Sequence, residues 1–430
     1  MYRTKIKELI NWKLSDGRKP LIVQGARQVG KTWLLKELGK TEFKQTIYVN
    51  FEKEVRLQDL FLQDLNPKRI IETLEAFFTT KIDAENSLIV FDEIQSAPKG
   101  LTSLKYFCEE APEYFIAASD SLFGMNLHNK VAFPVGKVNF LYMFPMNFYE
   151  FLLAVGEAGL VRILDEKLWD LLPVFTEKFK EQLRYYYYIG GMPEVVNDFA
   201  INRDWNAVRK IQEDILATYE NDFSKHAPTG IVPRLNMVWQ NIPAQLAKEN
   251  KKFVYGVMKE GARAKDFELA IQWLVDSGIL LKNYRVSKPD MPLIAYQDMS
   301  VFKLFFNDVG LLAAKFNLDL KTAIFGNDIF TEYKGAFTEQ FVMQQLKAAK
   351  MDYIGYWTNE RSTSEVDFVI QNEGKIVPIE VKASENLQAK SFKLFCEKYK
   401  PQTAIRTSLS NYRKEEWMTN VPLYIIGNYF

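Results

Sequence analysis

Residues 21–37 read LIVQGARQVGKTWLLKE, and this stretch limits the folding choices of the chain more than any other. Leu21-Ile22-Val23 is an apolar run of strand type. Gly25, Gly30, Lys31 and Thr32 then satisfy G-x-x-x-x-G-K-[ST] without a mismatch, and an amphipathic helix opens at Thr32. The two glycines let the backbone turn its N–H groups inward, where they cradle phosphate oxygens. The following helix adds its positive end. Lys31 brings an ammonium to the β- and γ-phosphates, and Thr32 offers a hydroxyl to Mg²⁺. A strand that feeds a helix through such a loop predicts an α/β fold around a parallel sheet.

Two further runs fit the same sheet. SLIVFDEIQSAP, residues 87–98, is short, apolar and ends in Asp92-Glu93. Such a run predicts a parallel strand buried on both faces, with its acidic end where open α/β sheets bind ligands. Asp92 is placed to hold Mg²⁺ through water, and Glu93 to orient and polarise an attacking water. YFIAASDS, residues 114–121, is a third such strand. In ATPases with an additional strand, the neighbour of the acidic strand puts a polar sensor beside the γ-phosphate. Ser119 is the first candidate and Asp120 the second.

The order GARQVGKT, IVFDEIQ, AASDS, GKVNFLYMFPMNFYEFL and YYYYIGGMPEVV resembles the bacterial and archaeal AAA-type ATPases related to the signal-transduction (STAND) group. Those proteins carry a C-terminal domain long labelled as of unknown function. The resemblance spans nearly the whole chain and implies ATP and Mg²⁺ as cofactors, with ATP hydrolysed to ADP and phosphate. Where the family often has Thr-Gly-Ser on the sensor strand, this chain has Ala117-Ala118-Ser119. A Gly-x-Pro in the helical lid of STAND ATPases brings a proline to the adenine. The resemblance gives that place to Pro193 of Gly190-Gly191-Met192-Pro193, while the residues alone read equally well as a loop between two helices.

Residues 243–299 read as three helices and a two-stranded hairpin. The helices are PAQLAKEN, FVYGVMK and AKDFELAIQWLVDSG, and the strands ILLKNYRV and LIAYQD flank SKPDMP. This resembles a winged-helix domain. The outer face of the third helix carries Lys265, Glu268, Gln272 and Asp276, which is not the positive surface a groove-reading helix needs. Farther on come a helix, KGAFTEQFVMQQLKAA, and the hairpin EVDFVIQNEGK–IVPIEVKAS. These resemble the PD-(D/E)xK nuclease core, with Asp367, Glu380 and Lys382 as acid, acid and lysine, and Glu339 as the extra helical carboxylate. In such sites the carboxylates bind Mg²⁺ and the lysine stabilises developing charge. Arg361 and Lys390 are the obvious cations nearby.

The expected organisation is a P-loop ATPase core over 1–160, a helical lid over 161–235, a winged-helix-like domain over 236–300 and an α/β restriction-endonuclease-like domain over 301–430. Lysine plus arginine number 55 against 54 acidic residues, so nucleic-acid binding cannot be argued from net charge. Two distant cysteines, Cys108 and Cys396, exclude a disulfide framework. With no signal-like start and no uninterrupted apolar span, a cytoplasmic protein is expected. ATP or ADP is the expected ligand, and DNA and a protein are the two candidate partners. Two readings result. One is a nucleic-acid-associated ATPase with a nuclease-like tail. The other is a STAND-like switch whose nuclease fold is inactive and engages a protein. Arg27 and Arg56 lie near the phosphate loop, but nothing in the sequence assigns either as an arginine finger.

Overall fold

The structure is a computed structural model that describes residues 2–121, 133–248, 251–325, 331–359, 364–383 and 390–430. The chain forms two compact units, residues 2–144 with 276–278, and residues 145–275 with 279–430. The division at 144/145 comes ahead of the expected 160/161, because helix Phe148–Ala154 packs on the later helices Leu172–Ile189 and Pro193–Asn202.

Within the first unit the described strands are β1 (Leu21–Gly25), β2 (Gln45–Asn50), β3 (Ser87–Asp92), β4 (Phe115–Ser121) and β5 (Asn139–Met143). They form one sheet in the order β2-β3-β4-β1-β5. Every pairing in it is parallel. β1 and β3 are buried at every position, which is why they read as unbroken apolar runs. Alternation sends Ile22, Val49, Ile89, Phe91 and Ile116 into a core shared with Ile70, Leu74, Leu104 and Phe107 from two helices, Pro67–Phe78 and Pro98–Glu110. Helix Lys31–Glu42 packs on β1 through β4. Because β4 is inserted between β3 and β1, the ends of these three strands, and the loop after β1, converge on one edge of the sheet.

The second unit begins with helices and ends in a mixed sheet. Its strands are β6 (Leu280–Val286), β7 (Gln297–Phe306), β8 (Tyr353–Thr358), β9 (Glu365–Asn372), β10 (Lys375–Val381), β11 (Ile405–Ser408), β12 (Arg413–Lys414) and β13 (Thr419–Pro422). Their order is β12-β13-β11-β10-β9-β8-β6-β7. β6 pairs antiparallel with β7, of which only Gln297 and Asp298 belong to the second strand the hairpin reading expects, and β6 also pairs in parallel with β8. β6 and β7 are therefore the edge of the sheet that carries the tail, and the expected 300/301 boundary falls inside β7. Leu293–Tyr296 is a 3₁₀ turn rather than the start of a strand. PAQL closes helix Val232–Leu246, and Tyr255–Val257 is a single 3₁₀ turn, whereas helix Ala264–Asp276 forms as read. The β9–β10 hairpin turns at Glu373 and Gly374, both at positive φ, 47° and 72°, the geometry of a tight hairpin loop. Among the described residues no helix is long and apolar enough to cross a membrane.

Candidate functional site

The phosphate loop closes tightly on its own strand. A Cβ at Gly25 would lie 2.4 Å from the carbonyl oxygen of Met143, at the end of β5, so only glycine fits there. Gly30 caps the following helix at φ 93°. Lys31 Nζ donates to the Gly25 and Ala26 carbonyls, each at 2.9 Å. Burial lowers the Lys31 pKa to about 8, against the pull of Glu93, Asp120 and Asp92.

Asp92 ends β3 with its carboxylate surrounded by donors. Thr32 Oγ1 reaches its two oxygens at 3.2 and 3.1 Å, and Asn50 Nδ2 reaches Oδ2 at 3.3 Å. The Tyr48 and Ser119 hydroxyls also donate to it. Thr32, Asp92 and Ser119, from three separate segments, thus meet at one carboxylate. Glu93 follows at φ 53°, uncommon for a residue with a side chain. Its backbone N–H donates to Ser119 Oγ at 3.3 Å, and its carboxylate accepts from Gln95, which also donates to Ser121 Oγ at 3.0 Å. Burial raises the Glu93 pKa, the direction a general base near neutral pH requires.

Tyr48, Asn50 and Gln95 are absent from the sequence reading. The available signal was the alternation in QTIYVN: Tyr48 and Asn50 share a face of β2, and Asn50 stands in register with Asp92. What the alternation does not reveal is that β2 lies beside β3. Arg27 faces Glu52 at 3.8 Å, and Arg56 lies exposed on Val55–Gln58.

Asp120, the second sensor candidate, is buried at the end of β4, and its Oδ1 has no partner among the described residues. Burial raises its pKa from 3.8 to about 7. The folded chain then holds a proton that the unfolded chain has released. The stability linked to Asp120 is full below about pH 4 and is lost as pH climbs through about 7. Asp120→Asn should flatten the fall in melting temperature between pH 4.5 and 8, with its largest gain above pH 7. A pH profile identical to that of the unaltered chain would refute this.

In the second unit Asp367 on β9 and Glu380 on β10 come together, with Lys382 just past β10 and Glu339 on helix Thr331–Ala348. Asp367 Oδ2 accepts from Val381 N–H at 2.7 Å, and Lys382 Nζ lies 2.6 Å from Glu380 Oε1. Arg361 lies outside the described residues, as does the side chain of Lys390. Lys251 and Lys303 are the lysines that enter. Lys251 takes Glu339 Oε1, while Lys303 takes Glu339 Oε2 at 3.4 Å and also Glu365. Burial pushes the Glu339 pKa upward, but Lys251 and Lys303 outweigh it and hold the carboxyl below its ordinary range. Asp367 is raised well above its ordinary value by burial and by Glu339 and Glu380. With both Glu339 oxygens on ammonium groups, the donor set does not fit a divalent cation, which needs those oxygens for itself. Among the described residues no group of three or more His, Cys, Asp or Glu side chains is arranged to hold one.

Pro193 opens helix Pro193–Asn202. The glycines before it have a packing reason within their own unit. A Cβ at Gly191 would lie 1.9 Å from Met146 O, and Gly191 N–H donates to the buried Asp308 at 2.6 Å.

Comparison with known proteins assigns part of this. The AAA domain family matches residues 17–152. Two families, each described as a domain of unknown function (DUF8612 and DUF4143), match residues 180–322 and 334–426. No curated protein matches the chain. Among solved structures it is similar to a Walker-type ATPase of Pyrococcus abyssi, at 11% identity over 73% of this chain and 95% of that one, with a TM-score of 0.45. It is also similar to the ORC1 protein of Aeropyrum pernix in complex with DNA, at 12% identity over 74% and 93%, with a TM-score of 0.29. Both likenesses are distant, and the assignment rests on the family match. Residues 17–152 are an AAA-type P-loop domain.

Proposed function

We propose that the chain binds ATP at Gly25–Thr32 and hydrolyses it, and that the nucleotide state governs how residues 145–430 engage a partner. The observation that carries this reading is the meeting of Thr32, Asp92 and Ser119 at the sheet edge where the phosphate loop ends. Their hydroxyl and carboxylate oxygens suit Mg²⁺. Thr32 and Asp92 would hold that ion, which when bound neutralises phosphate charge. Lys31 moves from the Gly25 and Ala26 carbonyls to phosphate oxygens, exchanging two neutral acceptors for charged ones. Glu93 accepts a proton from the attacking water, and Ser119 fixes the backbone of Glu93 relative to Asp92. Gln95, on the Glu93 carboxylate, must release or share it for that step.

Of the two readings for the remainder, a nucleic-acid-associated machine or a protein-engaging switch, the lysine-filled carboxylates of the tail favour the second. ATP turnover measured without DNA and with single- or double-stranded DNA, with product gels in parallel, separates them. The switch predicts unchanged turnover and intact DNA. Stimulation by DNA would restore the nucleic-acid reading.

A further inference from the structure

Lys303 is a lysine in the interior. It lies on β7 with 1% of its side chain exposed, where an unpaired ammonium would be costly. It links β7 to Glu339 on helix Thr331–Ala348 and to Glu365 on β9, and its Nζ lies 4.9 Å from the ring centre of Tyr356. Lys251, from the segment before Tyr255–Val257, closes the other side of Glu339. With Lys382 on Glu380, three lysines serve Glu339, Glu365 and Glu380, and the Val381 N–H serves Asp367.

We infer that Lys303, with Lys251, is the resident counter-charge of this carboxylate cluster, filling with protein ammonium groups the place that a divalent cation takes in a cleaving nuclease-like site. The tail then folds complete without metal. A metal ion seated on Glu339 would have to displace both ammonium groups from it, leaving Lys303 in the interior with Glu365 as its remaining carboxylate partner, and that loss opposes its entry. Cleavage that depends on a metal needs carboxylate oxygens free to coordinate it, and each Glu339 oxygen already carries an ammonium group. The nuclease-like reading of residues 301–430 supplies only the comparison. The pairing stands on the side chains themselves.

Two measurements on the full chain test this. In the first, the nucleotide-free protein is titrated with Mn²⁺ by calorimetry. No binding should appear that Asp367→Asn or Glu380→Gln removes, and binding that either removes would overturn the inference. In the second, Lys303→Met should lower the melting temperature by on the order of 10 °C, the size expected for breaking a buried pair. Adding Glu339→Gln to that variant should restore more than half of the loss. A side chain that merely fills space would show no such repair, and its absence would overturn the inference. The single variant, with its carboxylates unneutralised, should gain stabilisation from Mn²⁺ that the unaltered chain lacks. Loss and repair without any gain from Mn²⁺ would support the counter-charge and reject the nuclease comparison instead. If Lys303→Met does not fold, the titration of the unaltered chain still decides.

Discussion

In the Lys31→Ala variant, ATP with Mg²⁺ no longer raises the melting temperature. A ligand that binds only the native state stabilises it by about 2.7 kcal/mol at a hundred times its Kd. Most of that gain depends on the ammonium that faces the phosphates. Lys31 is buried and spans the loop by hydrogen bonds to Gly25 and Ala26, so alanine also removes a tie within the loop itself. The loop should be less ordered, and the nucleotide should lose its charged partner and its cradle together. Scanning fluorimetry with and without ATP reads this directly. A full ATP shift in the variant would refute the phosphate-loop site.

The second large effect is on rate. Glu93→Gln keeps shape and hydrogen bonding but cannot take a proton. It should bind ATP with the same thermal shift and turn it over more slowly by a factor on the order of 10²–10⁴, the usual contribution of a general base. The geometry sharpens the expectation, since the Glu93 carboxylate is already held by Gln95 and its backbone by Ser119. The glutamine can keep the latter contact, so the loss is chemical rather than structural. Turnover is followed by phosphate release at saturating ATP. Rates equal to those of the unaltered chain would move Glu93 to a structural role. Basal rates are expected to be slow in both proteins if an activating partner or a neighbouring subunit completes the site.

Local order was legible where the chemistry is contiguous. Gly25 to Thr32 span one loop, and their types follow from what a phosphate requires of backbone and side chain. Buried parallel strands declare themselves by runs such as SLIVFD, because both faces are apolar. The hairpin between β9 and β10 was readable from Asn372-Glu373-Gly374, because tight loops need residues that tolerate positive φ. Asp92 and Glu93 stood out because they end such a run.

Other features depend on which elements become neighbours, and local pattern does not encode that. The insertion of β4 between β3 and β1 sets Ser119 on Asp92, and the placing of β2 beside β3 brings in Tyr48 and Asn50. The first strand read as a wing, β6, joined the tail sheet because it found a second partner in β8. Lys251 and Lys303 meet Glu339 across 88 and 36 residues of chain. Neither position announces its burial in the sequence, since a lysine's burial is fixed by packing around it and not by its neighbours in the chain. The sequence by itself determined the phosphate loop and the strands that present it. Tertiary structure decided that the tail's carboxylates would be answered by lysines, because long-range pairing alone sets which charges share an interior.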